Sequence, residues 1–194
     1  MKRKTLKAKT GVKLPKSLLV LMLLTVAFSG LPKTTRAQPV TSREYLVKAA
    51  FLYNFAKFVQ WPQGAFKDAD APLVLCILGD DPFGSALNVL AGKTVGGRRL
   101  VIQRARNLTG LAPCHILFVA SLRQPALRQV LGKVKGKPIL TVSEIPDFTH
   151  QGGIIQFFTV QSKIRFEINP AAAAANDLKV SSQLLKLARI RREN

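Results

Sequence analysis

The segment Lys48 to Pro62, KAAFLYNFAKFVQWP, constrains the fold more than any other, because it gathers four aromatic residues and the only tryptophan into one short run. Val47, Phe51, Phe55, Phe58 and Val59, flanked by Leu52 and Ala56, recur at i, i+3 and i+4, so the segment predicts a helix with a wide apolar face. Arg43, Glu44, Lys48, Lys57 and Gln60 fall mostly on the opposite side. A proline disfavours helical geometry in the residue before it, so Pro62 places the helix end near Gln60 and turns the Trp61 indole outward. A face this apolar needs a sheet to cover it. An aromatic stripe at helical spacing is ordinarily core, so Phe51, Phe55 and Phe58 are expected to anchor the helix. The exposed Lys48, Lys57 and Trp61 then become the candidate partner-binding residues of this stretch.

The chain before this helix reads as an export leader. Met1 to Lys16 carries Lys2, Arg3, Lys4, Lys7, Lys9, Lys13 and Lys16 without an acid, and Leu18 to Phe28 follows as an apolar run of eleven residues. That run is shorter than the ~20 residues a membrane span needs, and Thr35-Arg36-Ala37 supplies small residues for a signal peptidase. Residues 1–37 are therefore expected to be a signal peptide cleaved after Ala37, with an uncleaved anchor as the competing reading. The remaining 157 residues, 38–194, suit one ordinary domain. Removing the leader takes nine basic residues and no acids, and 21 basic against 10 acidic residues leave +11 of the original +20. Export makes nucleic acid an unsuitable partner for this charge; anionic membrane surfaces, acidic proteins or simple solubility account for it.

After the helix, apolar runs alternate with helical patterns. Leu73 to Leu78, LVLCIL, reads as a buried strand ending at Gly79, and Asp81 with Pro82 reads as the cap and first turn of a helix through Phe83, Ala86, Leu87 and Leu90. No glycine-rich phosphate motif is present, and two aspartates at that helix start would repel phosphate. Leu100 to Gln103 is a second strand, flanked by Arg98, Arg99, Arg104 and Arg106, which read either as protection of a sheet edge or as an anion site. Cys114 to Val119 and Pro138 to Val142 add strands on either side of a short helix, Pro125 to Leu131. Gly153 to Val160 and Lys163 to Ile168 form a hairpin through Gln161-Ser162. An alanine-rich helix starts at Asn169-Pro170, and Leu178 to Ile190 predicts a last amphipathic helix. The expected fold is a single three-layer α/β domain with a mainly parallel sheet flanked by helices and a C-terminal hairpin.

Catalytic chemistry finds little support in these residues. Neither His115 nor His150 has a serine in a G-x-S-x-G elbow to serve, and Glu144 with Asp147 fits turn and cap roles better than acid and base ones. No Cys or His set has zinc-ligand spacing, and no cofactor is implied. Cys76 and Cys114, both in the exported part, are either a disulfide pair or two buried thiols. Ligands of open parallel sheets lie beyond the carboxyl ends of the strands, which here are Gly79 to Asp81, Ala120 to Leu122 and Ser143 to Asp147. Asp80, Asp81, Ser121, Ser143 and Glu144 are accordingly the candidate ligand-binding residues.

The order of KAAFLYNFAKFVQWP, LCILGDDPFG, GKTVGGRRL, CHILFV, PILTVSE, the Gly-Gly before IIQFF, KIRFEIN and SSQLLKLA resembles the YfiR family of exported bacterial proteins, over nearly all of residues 38–194. The resemblance implies a compact periplasmic α/β domain that binds instead of catalysing. It implies repression of an inner-membrane diguanylate cyclase, or a related sensor kinase, through the enzyme's periplasmic region, with an outer-membrane lipoprotein able to sequester the repressor. A second copy of the chain is a further candidate partner. Cys76 and Cys114 match the family's disulfide positions, while a second cysteine pair found in some members is missing. Asn54, Arg165 and Glu167 also match family motifs; Arg165 and Glu167 join the candidate partner-binding residues, with an ion pair between them and a buried hydrogen bond for Asn54 as the structural readings. The alternative function is a periplasmic small-molecule binding module for sensing or transport.

Overall fold

A computed structural model describes residues 40–107, 109 and 113–191, with side chains from Arg43 onward. The expected leader, 1–37, and its cleavage after Ala37 lie outside the described residues.

The aromatic segment forms the second half of helix α1, Val40–Phe58. Its chain continues without a turn into the two-residue strand β1, Val59–Gln60, which pairs antiparallel with β9, Lys179–Val180. The helix therefore ends two residues before the expected Gln60, which is in the strand. Eight strands make the main sheet, in the order β10-β8-β7-β6-β5-β2-β4-β3. These are β2 (Leu73–Leu78), β3 (Thr94–Val95), β4 (Arg98–Ala105), β5 (Ile116–Val119), β6 (Leu140–Ser143), β7 (Ile155–Val160), β8 (Lys163–Ile168) and β10 (Arg189–Ile190). The run β4-β2-β5-β6-β7 is parallel, and the β7–β8 hairpin is antiparallel. The mainly parallel sheet and the C-terminal hairpin are therefore as expected.

Alternation along β2 explains the three layers, because successive side chains of a strand face opposite ways. Leu73, Leu75 and Ile77 pack with Leu52 and Phe55 of α1, whereas Val74, Cys76 and Leu78 pack with Leu127, Val130, Leu131 and Val134 of helix α2, Gln124–Val134. Phe55 is fully buried, and its ring centroid lies 5.0 Å from Phe166 of β8 and 5.6 Å from Phe157 of β7. Phe51 reaches the same two rings at 5.5 and 5.9 Å. The helix is thus fixed to the hairpin by an aromatic cluster, within the separation at which ring pairs attract.

Cys76 and Cys114 are joined, with their Cα atoms 6.0 Å apart, closing a sequence separation of 38 residues.

Several local expectations are corrected. The stretch after Asp81-Pro82 is a 3-10 helix, Gly84–Leu90: Asp81 Oδ1 accepts from the Phe83 N–H at 2.8 Å, and the positive φ of Gly84, 50°, stops an α-helix from starting there. The predicted helix Leu178 to Ile190 is divided into β9, the short helix α4 (Ser182–Leu187) and β10. Its two ends are taken up by pairing with β1 and β8, a tertiary demand that overrides helical periodicity. Asn54 is exposed on α1, so it does not hold the fold through a buried hydrogen bond. The alanine-rich helix α3, Pro170–Ala175, is capped as its sequence suggests, with Asn169 Oδ1 accepting from the Ala172 N–H at 2.9 Å.

Candidate functional site

The carboxyl ends of β2, β5 and β6 surround a cavity of about 390 Å³. Its wall comprises Tyr45 from α1, Asp80 and Pro82 after β2, Phe118 to Leu122 at the end of β5, and Glu144 to Pro146 after β6. Of the five candidate ligand residues, Asp80, Ser121 and Glu144 are in this wall, and Asp81 and Ser143 are not. The Asp81 carboxylate is occupied by the Phe83 N–H and by Arg104 Nε at 2.7 Å. Ser143 is fully buried, donating to the Val119 carbonyl at 2.7 Å and accepting from the Ile145 N–H at 3.1 Å. Both brace the loops that shape the cavity and present nothing to a ligand.

Behind the cavity lies a charged cluster that the sequence left scattered. Lys48 is 3 % exposed, which corrects its expected place on the outer side of α1. Its ammonium pairs with Glu44 one helical turn back and with Glu144 Oε2 at 2.8 Å, and lies 4.6 Å from the centroid of the Tyr45 ring. Tyr45 donates its hydroxyl to the same Glu144 oxygen at 3.3 Å. Burial, then the neighbouring Glu144 charge and this hydrogen bond, push the Tyr45 pKa up to about 12, so it stays a donor throughout the physiological range. The other carboxylate oxygen, Glu144 Oε1, is shut off from solvent and has no hydrogen-bond partner. Tyr45 is the residue that sequence reasoning does not single out, and Lys48, a candidate for partner binding, belongs to this buried cluster instead. Their i, i+3 spacing puts them on one helix face, but only the fold shows that Glu144 meets them there.

The remaining candidates lie elsewhere. Lys57, exposed, and Trp61, half-buried, line a shallow cleft of about 280 Å³ with Phe66 and Arg98. The Trp61 indole, expected to turn outward, is instead packed against the core and donates to the His115 carbonyl at 3.3 Å. Arg98 is fixed behind it, stacked on Phe66 and donating to the carbonyls of Asp68, Ala69 and Ala71. Arg98 and Arg104 are therefore held by their own fold and do not make an anion site.

Arg165 is exposed and Glu167 is 5 % exposed, and the expected ion pair between them is replaced. Glu167 instead accepts from Thr149 Oγ1 and Arg189 Nε, because the 144–154 loop and β10 cover its end of β8. Burial alone would raise the Glu167 pKa, but those two hydrogen bonds and the charges of Arg189 and His150 outweigh it and hold the carboxyl below 4.5. Asn169 and Arg191 complete the cluster by donating to the Thr149 carbonyl at 3.0 and 2.7 Å.

Among the described residues, no three His, Cys, Asp or Glu side chains stand close enough to hold a metal ion. The strand-end cavity has largely apolar walls, with the Tyr45 hydroxyl and Glu144 Oε2 in its lining already paired with each other. A family model described as YfiR/HmsC-like matches residues 45–189, a span that begins at the first residue of the cavity wall.

Proposed function

This chain belongs to the YfiR/HmsC-like family, and from that premise we propose that it is a periplasmic regulatory protein that binds the outer, sensor region of an inner-membrane diguanylate cyclase and holds the enzyme inactive. Family membership over three quarters of the chain is the observation that carries this reading. The basic leader and apolar run of residues 1–28 support export. An outer-membrane lipoprotein that competes for the same protein fits the resemblance.

Repression by binding is a population shift: the regulator must favour the inactive conformation of the sensor over the active one. About 1–3 kcal/mol of such preference changes output by roughly 5- to 150-fold. The surface assigned to this contact is the cleft beside Lys57 and Trp61, where an exposed cation stands next to a half-buried indole. Aromatic residues with a polar tip are favoured anchors at interfaces.

Deleting the gene and measuring cellular cyclic di-GMP tests the proposal. The dinucleotide should rise in a strain expressing a cyclase with a periplasmic domain, and complementation with Lys57→Glu should restore less repression than the unaltered gene. No change in cyclic di-GMP on deletion would refute the regulatory reading. Full repression by Lys57→Glu and Trp61→Ala would move the contact to another face.

A further inference from the structure

We propose that the hollow between α2, α3 and the β6–β7 loop is a binding site for a small organic anion with two or more negative charges, a polycarboxylate or a phosphate ester. It lies apart from the Lys57 and Trp61 cleft and does not rest on the cyclase reading. Its volume, about 680 Å³, falls within the ~300–1,000 Å³ of ordinary small-molecule sites and exceeds what a lone phosphate ion would fill.

Three segments bring positive groups to its wall. Arg128 and Lys135 come from α2 and its C-cap, His150 from the β6–β7 loop, and Arg191 from the chain that leaves β10. No described Asp or Glu lines it. The imbalance begins in the sequence, which holds no acid between Asp81 and Glu144, so α2 carries its cations without i, i+4 partners. The side chains of Arg128, Lys135 and His150 make no hydrogen bond or ion pair among the described residues. They differ in this from Arg98 and Arg104, whose guanidinium groups are taken up by their own fold.

Arg191 is positioned differently. Its Nη1 donates to the Thr149 carbonyl at 2.7 Å, which fixes the guanidinium without neutralising it. The acid bonded into that network, Glu167, is 5 % exposed and already accepts from Thr149 and Arg189. A concave wall with three permanent charges of one sign focuses its field on the space it encloses, so it concentrates anions and repels cations. Guanidinium forks match the paired oxygens of carboxylates and phosphates, and cations on separate segments favour a ligand charged at more than one point. Leu131, Val134 and the alanines of α3 give its carbon skeleton an apolar floor.

Citrate and glucose 6-phosphate are the probes, with glucose and spermidine as controls, on the purified protein. In about 0.15 M NaCl, where exposed charges are screened beyond ~8 Å, calorimetry should show saturable binding of at least one of the two anions and none of glucose or spermidine. Citrate alone would mark a polycarboxylate site, and glucose 6-phosphate alone a phosphate-ester site. Arg128→Glu/Lys135→Glu should weaken that binding at least tenfold. Arg106→Glu/Lys163→Glu, the same change of net charge at exposed positions outside the hollow, should leave it within twofold. Gly132 belongs to the wall, and a Cβ added there finds no atom of another element within 4 Å. Gly132→Phe should therefore fill the hollow and abolish binding without lowering the melting temperature. No saturable binding of either anion, equal losses in the two charge-reversed variants, or full affinity in Gly132→Phe would each overturn the assignment.

Discussion

Lys48 brings a full charge to a position that water barely reaches, and its two carboxylate partners make that tolerable. Replacing it leaves Glu44 and Glu144 facing each other without a cation, and both are about one-third exposed, which moderates the cost. Lys48→Ala should therefore destabilise the protein by about 1–3 kcal/mol, less than the ~3–5 typical of a wholly buried pair, as read from urea unfolding. Lys48→Met, which restores volume without charge, should recover only the packing part. His115 gives the matching case for protonation. Its Nδ1 accepts from the Val74 N–H at 3.0 Å, so the proton sits on Nε2, which donates to the Ala65 carbonyl at 3.0 Å. Burial lowers its pKa from 6.5, and the charge of Arg98 lowers it further against the opposing Ala65 bond. A lowered folded-state pKa means the unfolded chain binds more protons, so stability is full above pH 6.5 and falls as the pH drops toward the folded value. Between pH 7 and 5.5 the unfolding midpoint should decline, and a His115→Asn variant should show a smaller decline over the same interval.

The loop between β6 and β7 shows how one element sets two sites at once. It supplies Glu144 to the cavity and Thr149 to the Glu167 cluster, and its centre is the fully buried Phe148. The Phe148 ring lies over Gly153: a Cβ added there would come within 2.2 Å of two of its carbon atoms. Gly153→Ala should cost about 1–3 kcal/mol through overpacking, and Phe148→Leu in the same chain should recover part of that loss by making room. A double-mutant cycle from chemical denaturation measures the coupling, and additive losses would show that the ring is not what excludes the methyl group. The double glycine was legible in the sequence; its partner was not, since nothing local connects residue 153 to a ring five positions earlier. The same contrast runs through the fold. The unbroken apolar run LVLCIL, the alternation of KIRFEIN and the 3.6-residue rhythm of the aromatic segment announced β2, β8 and α1, because those elements follow from which faces must be buried. Leu178 to Ile190 misled because its periodicity is helical while its ends are claimed by β1 and β8. The strand-end cavity could be placed from topology and its carboxylates named. Tyr45 and the inward role of Lys48 could not be read, since both arise from a meeting with Glu144 nearly a hundred residues away.

At the scale of the whole molecule, the sheet divides stabilisation from recognition. The disulfide links Cys76 in β2 to Cys114 just ahead of β5, and so ties adjacent strands at the amino-terminal approach to β5. The cavity forms where those strands have ended, around Asp80 and Ser121. Closing a loop of 38 residues removes unfolded-chain entropy worth about 4 kcal/mol by the chain-entropy argument, with ~2–5 the range for native bridges. Cys76→Ala/Cys114→Ala should accordingly melt about 10 °C lower than the parent, a drop that dithiothreitol should reproduce in the unaltered chain. Because the bridge acts mainly on the unfolded state, the folded variant at 25 °C should keep the circular dichroism spectrum of the parent. A changed spectrum at 25 °C together with the lower melting temperature would mean that the bridge shapes the folded sheet as well as restricting the unfolded chain.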